Sequence, residues 1–166
     1  MGGKIRFNVA KFGAKVASQV SKFGFGSGNN LPGYVFYKIA GKEALKDLAH
    51  EMSIGPILIT GTNGKTTTTT LLIKLLSADT KIRKSFESNT IHAITTGILK
   101  GDGDLGVFEY GIRNKSYGIP DTVQRLIDPV GVVYTTISRE HSQVAGVKNP
   151  FEEYVDAKSL LSQGMT

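Results

Sequence analysis

A phosphate-binding loop is the clearest chemical signal in this sequence. Residues 59–66 read I-T-G-T-N-G-K-T, after a short apolar run and before a stretch with helical character. The backbone N–H groups of a glycine-rich turn that opens a helix can converge on phosphate oxygens. Lys65 would reach the β- and γ-phosphates of a nucleotide, and the Thr66 hydroxyl would bind Mg²⁺. The predicted nucleotide-binding residues are Gly61, Thr62, Asn63, Gly64, Lys65, Thr66 and Thr67.

The spacing of this loop is unusual. In the common pattern G-x-x-x-x-G-K-[ST] a glycine stands where this chain has Ile59, and the nearest glycine before Gly64 is Gly61. A GTPase would also carry an Asn-Lys-x-Asp motif for the base, whereas Asn114-Lys115 is followed by Ser-Tyr. The pattern therefore disfavours a phosphate-loop kinase or GTPase. A non-catalytic nucleotide-binding module stays open as a further alternative.

Three more residues could take part in chemistry. Glu109 ends the apolar run 105–109, and ligands of an open parallel sheet gather beyond the carboxyl ends of its strands. Glu109 could therefore share a Mg²⁺ ion with Thr66. Taken alone, His141 is typical of a surface or satisfied core histidine, and the alternative interpretation of Lys158 is a surface lysine on an amphipathic helix.

The elements that must position these residues alternate from residue 55 onwards. Short apolar runs rich in Val, Ile and Thr predict strands, and helical periodicity predicts helices between them. We predict strands over 57–60, 105–110 and 130–137, and helices over 66–76, 91–99, 121–127 and 150–161. The expected fold class is α/β, with a parallel-sheet phosphate-loop core over residues 55–166 and a short helical extension over residues 1–54.

The N-terminal extension holds the whole positive excess of the chain. Residues 1–50 contain eight Lys or Arg against Glu43 and Asp47, and eight minus two equals the net charge of +6. The periodicity predicts an amphipathic helix over 4–23, with one apolar stripe formed by Ile5, Val9, Phe12, Val16, Val20 and Phe23. We expect this stripe to pack on protein, with peripheral membrane contact as the alternative. A glycine-rich loop over 25–33 and a short helix over 41–52 are predicted to follow.

The loop G-T-N-G-K-T and the threonines after it, residues 61–70, resemble the central domain of the Mur ligase family. This family includes peptidoglycan precursor ligases, folylpolyglutamate synthase, cyanophycin synthetase and related archaeal ligases. The resemblance covers about residues 55–162, and three further features fall in the family's order. These are a strand-end glutamate at Glu109, the pair Glu140-His141 after a Val- and Thr-rich strand, and a Tyr-x-x-Ala-Lys segment that ends at Lys158.

The resemblance implies a cofactor set and a role for each residue. In the family, a glutamate at the place of Glu109 binds metal, a histidine at the place of His141 binds a second Mg²⁺, and a lysine at the place of Lys158 is carbamylated by CO₂ in many members. The implied ligands are ATP and two Mg²⁺ ions. The implied metal-binding residues are Thr66, Glu109, His141 and, if carbamylated, Lys158, and the implied catalytic residues are Lys65, Lys158 and His141.

The resemblance also implies a reaction. Family members use ATP to activate a carboxylate as an acyl phosphate, release ADP, and join the carboxylate to an amine as an amide. The loop over residues 26–33 resembles the start of lipid II isoglutaminyl synthase large subunits and of archaeal ligases. We therefore expect a cell-wall peptide precursor, of murein or pseudomurein, as substrate. A folylpolyglutamate-type or cofactor amide ligase is the alternative.

The expected partners follow from that reaction. They are a nucleotide- or lipid-linked peptide precursor and an amino acid or ammonia, with a partner subunit as a further candidate, but no nucleic acid. The absence of Cys fits a cytoplasmic setting. Because family members continue into a further domain, we expect the chain to be incomplete after Thr166, and residues 1–166 to be inactive on their own.

Overall fold

A parallel β-sheet carries the fold. The computed structural model describes residues 2–22, 28–86, 90–116, 118–139 and 148–165. Within these residues the strands are β1 Gly55–Thr60, β2 Ile82–Ser85, β3 Leu105–Glu109 and β4 Gly131–Tyr134. The helices are α1 Gly2–Lys22, α2 Leu31–Ala40, α3 Ala44–Ala49, α4 Lys65–Leu76, α5 Ile91–Lys100, α6 Pro120–Ile127 and α7 Pro150–Ser159, which a 3₁₀ turn, Leu160–Ser162, extends.

The strand order places the phosphate loop near the middle of the sheet. The order is β2-β3-β1-β4, and all three pairings are parallel. Leu58 of β1 lies opposite Phe108 of β3 on one side and Val132 of β4 on the other. The carboxyl ends of β3, β1 and β4 therefore meet at one edge, where ligands of open parallel sheets bind. The predicted α/β class with a parallel sheet is confirmed.

The two faces of the sheet are covered unequally. Leu58 and Phe108 point into the larger core cluster, which also includes buried residues of α1, α2, α3, α5, α6 and α7. Ile59 and Val107 point to the opposite face and pack against α4 through Leu72. The alternation of side chains along each strand explains this division, because neighbouring residues point to opposite faces. The helix that opens at the phosphate loop therefore lies on the less covered side.

The prediction of a glycine-rich loop over 25–33 is wrong at its end, because α2 begins at Leu31. Pro32 fits there because the first turn of a helix needs no N–H from that position. Gly33 is required by packing, since a Cβ atom would lie 2.0 Å from the carbonyl oxygen of His92 in α5. Its N–H donates to the hydroxyl of Thr96, 2.9 Å away. These residues thus dock α2 on α5 and do not form a turn.

The apolar stripe of α1, expected to pack on protein, does not pack on the rest of the described chain. Ile5, Val9, Phe12, Val16 and Val20 are all exposed, Phe12 by 70%. The buried side of the helix is formed by alanines, Ala10, Ala14 and Ala17. A helix that packs through small side chains can approach its neighbour closely, and α1 lies against α2 in this way. Phe23, the last member of the predicted stripe, lies outside the described residues.

Strand β2 was not predicted, because its sequence I-R-K-S is mostly polar. Arg83 is nonetheless buried, with 9% of its surface exposed. Its guanidinium donates to the carbonyl oxygens of Gly103 and Ile98, at 2.8 and 2.9 Å. These backbone acceptors satisfy the charged group in the interior, so a polar segment can form an edge strand.

The remaining boundaries agree with the predicted elements to within a few residues, although α3 is shorter than the helix predicted over 41–52. The division of the chain at residue 54 stays a prediction. Residues on both sides of it, such as Leu48 and Leu58, belong to one core cluster. Over the part of the chain that the structure describes, every helix is too short or too polar to cross a membrane.

Candidate active site

The candidate site lies at the carboxyl edge of the sheet. Residues 61–64 leave β1, Glu109 ends β3, and residues 135–138 follow β4. Because β1 lies between the other two strands, these three segments are neighbours in space. Lys158 reaches the same region from α7.

The segment after β4 fixes the conformation of the phosphate loop. Gly61 has a φ of +149°, and a Cβ atom there would lie 2.0 Å from the hydroxyl oxygen of Thr135. The Thr135 hydroxyl donates to the carbonyl oxygen of Asn63 at 2.6 Å, and the N–H of Thr62 donates to the carbonyl oxygen of Thr136 at 2.5 Å. Gly64, with a φ of +83°, then turns the chain into α4. Glycine is needed at both positions, because other residues rarely adopt such φ values.

Thr66 and Glu109, the two residues predicted to share a metal ion, are in contact. The Thr66 hydroxyl donates to a carboxylate oxygen of Glu109 over 2.8 Å. Glu109 is only 4% exposed, whereas Thr66 is exposed in the first turn of α4. Thr67 is exposed beside it. The site thus offers a hard oxygen pair at the start of the helix, beside the phosphate loop.

This pair fits Mg²⁺. Mg²⁺ prefers oxygen ligands, and it is commonly held by one or two protein groups together with substrate phosphates and water. Among the described residues no group of three or more His, Asp or Glu side chains could hold a metal by itself. A site that consists of Thr66, Glu109 and phosphate oxygens agrees with both observations.

A small cavity opens beside the loop. It has a volume of about 160 Å³ and is lined by Gly61, Thr62, Lys65, Gly111, Ile112, Arg113 and Tyr154. The ammonium of Lys65 donates to the carbonyl oxygens of Gly61 and Thr62, at 3.2 and 2.9 Å, and so lies at the loop itself. Lys65 and Arg113 give the cavity a positive lining, which suits an anionic group.

Lys158 is the most unusual residue of the site, because its side chain is fully buried. Its ammonium donates to the Thr60 hydroxyl at 3.2 Å and to the carbonyl oxygens of Gly61 and Ile112, at 3.3 and 3.0 Å. It also lies 4.4 Å from the ring centroid of Tyr154. The alternative interpretation of Lys158, a surface lysine on an amphipathic helix, is therefore wrong.

Burial changes the acidity of this lysine. Loss of hydration, and then the charge of Lys65, lower the pKa of Lys158 from its ordinary 10.5 to about 8. Burial disfavours the charged ammonium, and a second cation nearby acts in the same direction. A larger share of Lys158 is therefore a neutral, nucleophilic amine at neutral pH than is usual for lysine.

Tyr154 is a further site residue, known from the sequence only as the first residue of the Tyr-x-x-Ala-Lys segment. Its hydroxyl lies 2.9 Å from the hydroxyl of Thr62, which accepts a hydrogen bond from the N–H of Ser138 at 2.9 Å. Tyr154 thus links α7 to the phosphate loop and to the segment after β4. Burial raises its pKa, so the phenol stays protonated. The available signal was its spacing, since Tyr154 and Lys158 are one helical turn apart and share a face.

Other predicted residues lie elsewhere. Glu140 and His141 lie outside the described residues. The roles assigned to the site residues stay predictions, although the structure brings Lys65, Thr66, Glu109 and Lys158 to one edge of the sheet.

Known families and curated proteins resemble this chain. The family model described as the Mur ligase middle domain matches residues 59–166. The UDP-N-acetylmuramoyl-tripeptide–D-alanyl-D-alanine ligase of Borreliella burgdorferi is 36% identical over 100 residues, which is 58% of this chain and 21% of that enzyme. The ligase of the same name from Bacillus subtilis is 29% identical over 129 residues, 74% of this chain and 27% of that enzyme. The chain thus spans about a quarter of the length of these relatives.

Solved structures also include chains whose fold is similar to that of this chain. Two crystal structures of MurF from Acinetobacter baumannii match with TM-scores of 0.62 and 0.60. They are 17% and 21% identical and cover 82% and 76% of this chain, but 28% of the MurF chain in both cases. At this level of sequence identity the match shows the fold alone: this chain is folded like a segment of MurF.

Proposed function

Because this chain belongs to the Mur ligase family, we propose that it forms the nucleotide-binding part of a ligase that joins a carboxylate to an amine at the expense of ATP. The observation that carries the proposal is the position of Lys158. Lys158 is a buried lysine that contacts the first glycine of the phosphate loop, Gly61, and its lowered pKa leaves an amine that can react with CO₂. It suits an enzyme that converts this lysine into a metal-binding carbamate.

The first part of the proposal concerns the binding of ATP. The loop amides and the N-terminal end of α4 would bind phosphate oxygens, and Lys65 would turn from the loop carbonyls towards the β- and γ-phosphates. Thr66 and Glu109 would hold a Mg²⁺ ion. When bound, this ion neutralises phosphate charge and makes the γ-phosphorus more electrophilic. The protein thus contributes positioning and electrostatic stabilisation.

The second part concerns Lys158. An ammonium cannot attack CO₂, so carbamylation requires the neutral amine. With a pKa of about 8, about one Lys158 in ten is neutral at pH 7, against about one in 3,000 for an ordinary lysine. The carbamate would be anionic, so it would lie favourably near Lys65 and could bind a second Mg²⁺ together with His141. The second metal site is proposed from the family resemblance.

The third part concerns the reaction. A carboxylate oxygen of the substrate attacks the γ-phosphorus, the bond from that phosphorus to the β-phosphate oxygen breaks, and ADP leaves. The nitrogen of the amine then attacks the acyl carbon, the bond from that carbon to the phosphate oxygen breaks, and inorganic phosphate leaves. The amine loses a proton as the amide forms. Both steps need water to be excluded, so the acyl phosphate is not hydrolysed.

The relatives suggest the substrate class. Two of them are named for adding D-alanyl-D-alanine to a UDP-N-acetylmuramoyl-tripeptide. We propose that the substrate here is likewise a nucleotide- or lipid-linked cell-wall peptide with a free carboxylate, and that the amine is an amino acid, a dipeptide or ammonia. Folylpolyglutamate formation is the second candidate, because the same central domain serves it in the family.

The test uses the native polypeptide that contains this sequence. A UDP-linked tripeptide with ¹⁸O in its carboxylates is incubated with Mg²⁺–ATP and either D-alanyl-D-alanine or ammonia. The proposal expects release of ADP that depends on both the tripeptide and the amine, with one ¹⁸O atom transferred to inorganic phosphate. Lys65→Ala should abolish this turnover. If the protein binds ATP but releases no ADP with any of the amines, it is a non-catalytic module. If ADP is released only when tetrahydrofolate and glutamate are the substrates, the second candidate is correct.

A further inference from the structure

The outer face of α1 carries a continuous apolar stripe. Its members, Ile5, Val9, Phe12, Val16 and Val20, recur at steps of four and three and are 42–70% exposed. On the opposite face the alanines of α1 are buried against the protein. Single exposed apolar residues are common on protein surfaces, but a row over about four helical turns indicates an interaction surface.

The charge of α1 is of one sign. The helix carries Lys4, Arg6, Lys11, Lys15 and Lys22, and the first acidic residue of the chain is Glu43. At 100° per residue the four lysines fall within a narrow band on one border of the apolar stripe. Apolar side chains bordered by lysines are typical of helices that lie in the interface of an anionic bilayer.

A groove continues the lysine border towards α5. It has a volume of about 790 Å³, and its lining includes Phe12 of the stripe together with Lys11, Lys15, Lys22 and Lys100. Lys11 is paired with Glu51, at 2.7 Å. The groove thus places several ammonium groups next to an exposed aromatic ring, an arrangement that complements the phosphate and the upper acyl chain of a phospholipid.

We propose that the exposed face of α1 docks on a membrane surface that contains anionic phospholipids, with the stripe at the level of the headgroups and the lysines on their phosphates. A second copy of the chain is disfavoured as the occupant, because it would bring two basic, acid-free helices together. The apolar stripe and the basic border together supply the two contributions that stable peripheral binding needs. This inference does not depend on the ligase reaction.

The test is flotation of the native polypeptide with vesicles. Vesicles of phosphatidylglycerol and phosphatidylcholine in equal parts should carry the protein, and vesicles of phosphatidylcholine alone should not. Binding should weaken as salt rises, because salt screens the lysines. Failure to bind the anionic vesicles would overturn the proposal, as would equal binding to both kinds. A dimer in sedimentation that Phe12→Ser dissociates, without vesicle binding, would overturn it in favour of a second copy.

Matched variants distinguish binding through this surface from nonspecific binding to vesicles. Phe12→Ser should weaken vesicle binding about tenfold, and Leu75→Ser on α4 should not, although Leu75 is equally exposed at 73%. The double change Lys15→Gln and Lys22→Gln should weaken it about thirtyfold at low salt, whereas Lys74→Gln, also on α4, should have little effect. All these side chains are exposed, so the variants should fold normally. Equal losses for Phe12→Ser and Leu75→Ser would contradict a role of α1.

Discussion

Replacement of Lys158 by methionine should remove one component of the pH dependence of stability. Methionine has a similar length but no charge, so Lys158→Met leaves the Thr60 hydroxyl and two carbonyl groups without this donor. That cost is constant with pH. The charge of Lys158, by contrast, contributes a cost that changes with pH, because its pKa is about 8 in the fold and 10.5 in the unfolded chain.

The size and sign of the effect follow from these two values. The difference between 10.5 and about 8 corresponds to about 3 kcal/mol. At pH 7 the ammonium is charged in both states, and the folded state bears the full cost of burying it. Between pH 8 and 10.5 the folded chain has released a proton that the unfolded chain still holds, so stability rises with pH. From about pH 7 to about pH 9.5 the wild-type chain should gain about 2 kcal/mol relative to Lys158→Met.

The measurement is urea unfolding of both chains across this pH range in CO₂-free buffer. Contributions of the other titrating groups cancel in the difference, provided that the variant does not change their surroundings. A difference independent of pH would refute the reasoning about burial. Addition of ¹³C-bicarbonate should then produce a carbamate signal by NMR in the wild type but not in Lys158→Arg, because a guanidinium is not carbamylated.

Three further predictions concern the loop, the metal site and the fold. Lys65→Ala should lower ATP affinity at least about tenfold by calorimetry, because charge-assisted hydrogen bonds of about 1.5–3 kcal/mol are lost, and unchanged affinity would contradict the phosphate-loop assignment. Glu109→Gln should raise the Mg²⁺ concentration needed for nucleotide binding, whereas Asp79→Asn, an exposed carboxylate in the turn that follows α4, should not. Equal Mg²⁺ titrations of the two variants would remove Glu109 from the metal site. Gly33→Ala should destabilise the fold by about 1–3 kcal/mol in urea, because its Cβ would meet the backbone of α5, whereas Gly3→Ala, with nothing within 4 Å, should not.

The part of the fold that could be predicted from the sequence is the part with local signals. Residues 55–76 contain the apolar run of β1, the glycines after it and the threonine-rich helix. Because these elements follow one another directly in sequence, they must also be neighbours in the fold. The contact between Thr66 and Glu109 followed from one further rule, that carboxyl ends of parallel strands share an edge. Both inferences depend on backbone geometry and hardly at all on side-chain packing.

The rest depends on contacts between residues far apart in sequence. Gly33 looks like a turn residue until the backbone of α5 is seen to lie against it. Arg83 looks like a surface residue until backbone carbonyls are found to satisfy its guanidinium. The Tyr-x-x-Ala-Lys segment marks Lys158, but nothing in its own helix shows that Gly61 and Ile112 will accept its hydrogen bonds. Residues of this kind are determined by their partners, and a single sequence does not show which partners meet.

The apolar stripe of α1 shows why periodicity alone does not decide which face of a helix is buried. Periodicity indicates that one face is apolar, but α1 has two faces that could pack, one of large apolar residues and one of alanines. The alanine face is buried because small side chains let α1 approach α2 closely, and a Cβ added at Gly13 between them would already lie 3.0 Å from Ile39. A larger residue on that face would push the helices apart. The stripe is therefore left exposed on the described residues, and the proposal is that an anionic membrane surface covers it.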